Sequence, residues 1–451
     1  MNNFFNPSTV AIVGASRDPK KLGHIVLENM LIDFKGDVYP INPKAEFILG
    51  KKCYKSLLDV KGNIDLAIII TPANNVYDII QQCSKKEISS VIILSAGFSE
   101  IGNVKEEEKI RNFSKKMRIL GPNCIGIYNA DSGLDTLFTK IHRQERPKKG
   151  SISFVSQSGA FGVAMMDIAA SEHIKMSKFI SIGNRIDIDE IDLLNYLEKD
   201  KETKTIAMYI EGAKNGLDFI KTLKKIKKPL IVLKSGKTSE AAHAIQSHTA
   251  SLAGQAEIYS SLFKQSGIIE AENIDELFDF SKALDLQPLP KGKKIQIITN
   301  GGGFGIIATD AITNQGLQLS KLSESSKSKI KKSVPNYISI NNPLDLTGDA
   351  DSQRYKLSIE TAMKDKNVDA ILLIVLFQLS TLDSTMIKII SDSKKYKKPI
   401  VLCSLGGEFT DIYKKILEES GIPTYPTPDR AAAALAALVK RSEYIKLKKK
   451  K

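Results

Sequence analysis

Short apolar runs separated by amphipathic stretches set the rhythm of the first 128 residues. "TVAIVGAS" (9–16), "GDVYPIN" (36–42), "IDLAIIITP" (64–72), "SSVIILSAG" (89–97) and "RILGPNCIG" (118–126) read as strands that end in turn residues. Between them lie helical patterns such as "NNVYDIIQQCSKK". Strand and helix alternating at this spacing predict an α/β fold with a parallel, doubly wound sheet. In such sheets the ligand crevice opens at the carboxyl ends of the strands. Those ends carry Gly14-Ala15-Ser16, Asn42-Pro43-Lys44, Thr71-Pro72-Ala73, Ser95-Ala96-Gly97 and Gly121-Pro122-Asn123, all small or turn-forming except Lys44. A long ligand can lie against backbone there.

After a polar connector, "KIHRQERPKKG" (140–150), the pattern repeats itself. "ISFVSQSGAFGVAMMDIAASEHI" (152–174) and "IQIITNGGGFGIIATDAITNQGL" (295–317) superpose without a gap, matching Gly159, Phe161, Gly162 and Asp167 to Gly302, Phe304, Gly305 and Asp310. Further on, "KKPLIVLKSG" echoes "KKPIVLCSLG". Two homologous α/β domains are therefore expected after the first, separated near the linker "LQPLPKGKK" (286–294).

Composition narrows the function. With 451 residues, 42% hydrophobic and 26% charged, the chain has the make-up of a soluble multidomain protein. No apolar run approaches the ~18–20 residues of a membrane span, and the first residues lack the basic start of a signal peptide. Cys53, Cys83, Cys124 and Cys403 lie far apart with no ligand spacing, so they read as reduced thiols of a cytoplasmic protein, and no metal site is marked. The net charge of +14 comes from dispersed lysines and a final "KLKKKK" that reads as a frayed basic tail (446–451). Without tryptophan or aromatic–basic interleaving, nucleic acid is not the expected partner, whereas small phosphorylated ligands stay open.

The candidate chemistry sits in glycine-bearing turns. "VGASRDPKKLG" follows a strand and precedes a helix, where backbone N–H groups and the helix dipole favour a phosphate. The spacing is not GxGxxG. The acidic residue that would grip an adenine ribose after the second strand is replaced by Asn42 and Lys44, which disfavours a nicotinamide cofactor. "SQSGAFG" and "TNGGGFG" each introduce a helix without charge in its first turns, giving two candidate anion sites. His248 stands in "KSGKTSEAAHAIQSHTASLAG" (234–254) among small residues. A neutral imidazole accepts a phosphoryl group, and a carboxylate on its other nitrogen fixes the tautomer. Glu211, ending the apolar run "AMYIEG", offers that carboxylate. His243, five residues earlier, is the rival, and residue chemistry does not separate the two.

The combination "VGASRDPKKLG", "YPINPK", "SAGFSE", "GPNCIG", "SQSGAFG", "SIGNRIDIDEIDLLNYL", "YIEG" and "SHTASLAG" resembles the nucleoside-diphosphate-forming acyl-CoA synthetases, relatives of succinyl-CoA synthetase. The likeness is to their alpha subunits and runs in order from residue 4 to about 440.

It implies a Rossmann-like CoA-binding domain over 1–128, followed by two flavodoxin-like, succinyl-CoA synthetase-like domains over 150–287 and 294–445. It places coenzyme A against Gly14, Ala15, Ser16, Arg17 and Lys21, then Asn42, Pro43 and Lys44, then Thr71, Pro72 and Ala73. Ser95, Ala96, Gly97 and Phe98, with Asn123 and Cys124, complete that set. Phosphate falls to Ser158, Gly159, Gly183, Asn184, Gly302 and Gly303. The resemblance selects His248 over His243 as the phosphohistidine and pairs it with Glu211. Ala250 stands where glycine is more usual.

The implied activity is that of an ADP-forming acid–thiol ligase, acting on a carboxylic acid or its acyl-CoA through acyl phosphate and phosphohistidine. No ATP-grasp region is visible. ADP or ATP with Mg2+ is therefore expected in a separate ATP-grasp beta subunit, in a heterotetramer. The alternatives are a non-catalytic CoA-binding regulator of the same fold and a nicotinamide-dependent dehydrogenase.

Overall fold

The apolar runs at the start of the chain fold as β1 (Thr9–Val13), β2 (Asp37–Ile41), β3 (Leu66–Ile69), β4 (Ser90–Ile93) and β5 (Arg118–Leu120). They pair in parallel in the order β2-β1-β3-β4-β5. Every residue of β3 and β4 is buried, because helices cover both faces of a parallel sheet and leave no side for alternating polar residues. Helices α1 (Leu22–Asp33), α2 (Ala73–Lys85) and α3 (Val104–Phe113) fall between the strands. α2 shows why: Val76, Ile79, Ile80 and Cys83 recur at helical spacing and are its buried face. The strand order reverses between β1 and β3, so a crevice opens where their following loops part.

The structure is a computed structural model that describes residues 1–113, 117–238, 240–241 and 256–450. It divides into two compact units, Met1–Ser266 and Gly267–Lys451. The first unit holds a second sheet. There β6 (Ile127–Asn129), β7 (Leu134–Asp135), β8 (Lys149–Ser156), β9 (Met176–Ser181), β10 (Thr205–Ile210) and β11 (Leu230–Lys234) run in the order β11-β10-β8-β9-β6-β7. β8 to β11 are parallel, whereas β6 and β7 join as an antiparallel hairpin on β9. The chain has thus crossed into the second sheet by residue 127. The polar connector is not loose either: Arg146 makes a 2.8 Å ion pair with Asp135, and both side chains are buried. The pairing is not visible in sequence because the partner lies on a strand too short to show periodicity.

Helix α4 (Gly159–Ser171) follows β8, α5 (Glu190–Lys199) follows β9 and α6 (Gly216–Lys225) follows β10. Asp189 caps α5 in a reciprocal capping box with Asp192, which fixes where the loop after β9 ends.

In the second unit, β12 (Lys294–Thr299), β13 (Gln318–Leu319), β15 (Ala370–Ile374), β16 (Ile400–Cys403) and β17 (Thr424–Tyr425) form a parallel sheet in the order β13-β12-β15-β16-β17. The short β14 (Leu344–Asp345) also pairs with β12. Both repeats therefore place their second strand on one side of the first and their later strands on the other. Helix α7 (Gly302–Asn314) has the same length as α4, 13 residues, and begins at the glycine that the sequence superposition aligned. Helix α8 (Pro428–Lys450) closes this unit and corrects one expectation: the "KLKKK" segment continues the helix through Lys450 and does not fray. No breaker interrupts it, and cations in a last turn suit the negative end of the helix dipole.

Two glycines decide how close the loop after β1 comes to the end of β3 and to α1. Gly14 has φ +96°, and a Cβ there would lie 2.4 Å from the Ile70 carbonyl oxygen. A Cβ on Gly23 would lie 2.0 Å from the Gly14 carbonyl oxygen. These glycines admit protein backbone at close range, which gives a packing reason for their place in and beside the loop. Gly23→Ala is expected to push α1 off the strand and destabilise the chain by about 1–3 kcal/mol. Urea unfolding followed by circular dichroism checks this, and an unchanged midpoint would contradict the close approach.

Candidate functional site

The carboxyl ends of both sheets in the first unit face one cavity of about 910 Å³. The first sheet supplies Gly14, Ala15 and Ser16 after β1, Asn42 after β2 and Ile70, Thr71 and Pro72 after β3. Leu94, Ser95 and Ala96 follow β4, with Asn123, Cys124 and Ile125 after β5. The second sheet adds Gln157 to Ala160 after β8, Gly183 to Arg185 after β9 and Glu211 after β10. One hollow therefore joins the crevice of the first sheet to the start of α4.

Most polar groups on the first-sheet side are already spoken for. Asn42 donates from Nδ2 to the Ala15 carbonyl at 2.7 Å and accepts from the Lys44 N–H at 2.8 Å, tying two strand-end loops together. Ser95 Oγ accepts from the Thr71 N–H at 3.2 Å. Thr71 Oγ1 differs: it is buried and has no hydrogen-bond partner among the described residues. A buried hydroxyl left this way is unfavourable unless a ligand or water meets it. Small walls, a volume at the upper end for small-molecule sites and this orphan hydroxyl together suit a long polar ligand.

Glu100 is a carboxylate in the wall that sequence reasoning passed over. It accepts from the N–H groups of Gly97 at 2.5 Å and Phe98 at 3.1 Å, and from Asn184 Nδ2 at 2.6 Å. Burial raises its pKa, but the Asn184 amide and these backbone donors outweigh that and hold it below its ordinary value.

On the second-sheet side, Ser158 caps α4 by accepting from the Phe161 N–H at 3.3 Å. Ser156 Oγ donates to the Ser158 carbonyl at 2.6 Å and secures the turn. A Cβ on Gly159 would meet Ile125 Cγ1 at 2.8 Å, so glycine lets the helix start close on that loop. Glu211 directly follows β10 and is 9% exposed. Its N–H donates to Gln157 Oε1 at 2.6 Å, and the Gly212 N–H donates to the same atom at 3.2 Å. Arg185, at φ +61°, donates to the Gly212 carbonyl at 2.8 Å and to Glu190 Oε2 at 3.1 Å. Glu190 Oε1 in turn accepts from the Lys214 N–H at 3.1 Å. Burial, then the neighbouring Arg185 cation, pushes the Lys214 pKa down.

The wall takes in Lys21 as well as Ser158, Gly159, Gly183, Asn184 and Glu211 of the candidate residues. Arg17, Pro43, Lys44, Ala73 and Gly97 do not line it, and Arg17, Pro43 and Lys44 are exposed. Phe98 is a correction: it is fully buried in the core of the first sheet, because the chain after Gly97 turns inward. Gly302 and Gly303 belong to the second unit, where a Cβ on Gly302 would meet Asp345 Oδ2 at 2.6 Å. His248 and His243 lie outside the described residues. Sequence reasoning missed Gln157, Arg185, Glu100 and Phe138 among the lining residues. Gln157 and Arg185 stood inside quoted motifs, where their neighbours Ser158, Gly159, Gly183 and Asn184 drew notice instead.

Residues 8–130 match the CoA binding domain family, residues 149–284 the succinyl-CoA ligase like flavodoxin domain and residues 295–444 the Ligase-CoA domain. The acetate–CoA ligase [ADP-forming] II subunit alpha of Pyrococcus furiosus is 40% identical over 99% of this chain and 98% of its own. The chain belongs to the ADP-forming acetate–CoA ligase family. Another member, from Methanocaldococcus jannaschii, is 43% identical over 97% of this ligase-family chain, which spans only 62% of that longer protein. Among solved structures, the dinucleotide-forming acetyl-coenzyme A synthetase 1 of Ca. Korarchaeum cryptofilum, in complex with phosphate and ADP, superposes with a TM-score of 0.92. It shares 38% identity, covering 99% of this chain and 98% of that one.

The lowered Glu100 pKa has a definite sign. A carboxylate whose folded pKa lies below its unfolded value adds stability above about pH 4.3, and this is lost as pH falls through the folded pKa. The Tm gap between the wild-type ligase chain and Glu100→Gln is expected to be widest near neutral pH and to close in acid. A gap independent of pH would contradict the hydrogen-bonded carboxylate.

Proposed function

We infer that this chain is the alpha subunit of an ADP-forming acyl-CoA synthetase of the acetate–CoA ligase type, carrying the CoA site and the phosphohistidine. The observation that carries the reading is the single cavity in which a crevice of CoA-binding type meets a capped helix N-terminus and the Glu211 carboxylate. Small residues at the ends of β1, β3 and β4 would take the CoA chain, with Thr71 Oγ1 offering an unmet polar contact. Phosphate would lie at the start of α4, where backbone donors and the dipole stabilise charge without reorganising.

In the acid-forming direction, a phosphate oxygen attacks the acyl-CoA carbonyl carbon. The C–S bond breaks, the proton on phosphate passes to the departing sulfur, and acyl phosphate and CoA result. His248 then attacks phosphorus through its unprotonated nitrogen, the P–O bond to the acyl group breaks, and the carboxylate leaves. Glu211 accepts the hydrogen bond of the remaining ring N–H and offsets positive charge on the imidazole. ADP finally takes the phosphoryl group as the N–P bond breaks. The nucleotide and its Mg2+ would be held by an ATP-grasp beta subunit in a heterotetramer. The alpha-subunit name of the Pyrococcus furiosus relative and the extra length of the Methanocaldococcus jannaschii relative support a division of this kind. Four buried, unpaired cysteines suit a reducing, cytoplasmic setting.

Incubation with acetyl-CoA and radiolabelled phosphate tests the reading. The wild-type chain is expected to gain an acid-labile, base-stable label, and His248→Asn to gain none while still binding CoA. Normal turnover by His248→Asn would contradict the assignment. Glu211→Gln is expected to fold and to phosphorylate about 10²–10⁴-fold more slowly. Unchanged kinetics would remove Glu211 from the mechanism.

A further inference from the structure

β8 and β10 pair up to Ser156 and Tyr209, after which β8 turns away into α4. The ladder should stop there, leaving the backbone of Glu211 and Gly212 without a neighbour. The Gln157 side chain takes the place of the missing strand. Its carboxamide has the donor and acceptor of a peptide group: Oε1 accepts from the N–H groups of Glu211 and Gly212, and Nε2 donates to the Gly212 carbonyl at 3.0 Å. The Gln157 N–H meanwhile donates to the Tyr209 carbonyl at 3.3 Å, anchoring the residue to the same strand.

We propose that Gln157 is a positioning residue that registers the Glu211 carboxylate against the start of α4. The next residue, Ser158, is the N-cap of that helix, so one side chain couples the phosphate cradle to the carboxylate across the cavity wall. Arg185 holds the same Gly212 carbonyl from the loop after β9, so the backbone behind Glu211 is gripped from two sides. The anchored atoms are backbone, so the Cα of Glu211 is fixed, and the Tyr209 side chain hydrogen-bonds the carboxylate from the same strand. A displacement of about 1 Å at a reacting group costs on the order of 10²-fold in rate.

This inference rests on the role proposed for Glu211, and the experiment separates the two. The full chain is mixed with acetyl-CoA and radiolabelled phosphate, and phosphoenzyme formation is followed by rapid quench across pH. Gln157→Ala is expected to slow phosphorylation at saturation by about 10²-fold while the KM for acetyl-CoA moves less than about 3-fold. Gln157→Glu keeps an acceptor for the two N–H groups but sets a carboxylate oxygen against the Gly212 carbonyl, so it is expected to recover part of the rate, with its acid limb displaced to higher pH by the second carboxylate. Phosphorylation by Gln157→Ala at the wild-type rate would overturn the proposal, as would equal losses in both variants with no displaced limb. If Glu211→Gln is slow while Gln157→Ala is not, only this proposal falls. If Glu211→Gln phosphorylates at the wild-type rate, both fall.

Discussion

A carboxylate at the end of an apolar strand is expensive to bury, and the second sheet of the first unit is arranged around that constraint. Leaving a carboxylate desolvated without compensating bonds costs several kcal/mol. The Tyr209 side chain hydrogen-bonds the Glu211 carboxylate and the Lys234 cation lies in its field, while the backbone that carries it is held separately: Gln157 satisfies the N–H groups of residues 211 and 212, and Arg185 and Gln157 share the Gly212 carbonyl. Tyr259 takes the next N–H, that of Ala213, at 2.9 Å, and Glu190 takes that of Lys214. Four consecutive amides are thereby fixed by side chains from four other segments. A turn held in this way is stiff, and the carboxylate it carries has a defined place.

The first sheet meets a different demand, which is room. Its strands deliver small residues to the crevice, and its glycines let α1 and the neighbouring strand close in behind the loop. What remains is a hollow lined by loop backbone, with an orphan hydroxyl at Thr71 and a carboxylate at Glu100 that is fully engaged by donors. An extended, phosphate-bearing thiol suits such a wall better than a compact, highly charged ligand. The two demands meet because both sheets turn their carboxyl ends to the same cavity.

Continuous apolar runs made the parallel strands legible in the sequence, since burial on both faces leaves no alternation to misread. The repeat was legible for a similar reason: α4 and α7 begin at aligned glycines, and both sheets share one strand order. Glu211 stood out as a charge ending an apolar strand. The hairpin of β6 and β7 did not show, because strands of two or three residues carry no periodicity. Gln157 and Arg185 were hidden differently. Their work is done through side-chain bonds to backbone far away in the chain, and nothing in local spacing announces a carboxamide standing in for a strand. Phe98 misled because a residue following a crevice loop can turn inward as easily as outward.

The central claim is that CoA chemistry and phosphoryl transfer share one cavity. A crystal structure of the full chain with CoA and phosphate tests it most directly. The thiol is expected at the start of α4, in van der Waals contact with phosphate and between Ser158 and Glu211. A CoA thiol directed away from α4, or phosphate bound elsewhere with that helix start empty, would contradict it.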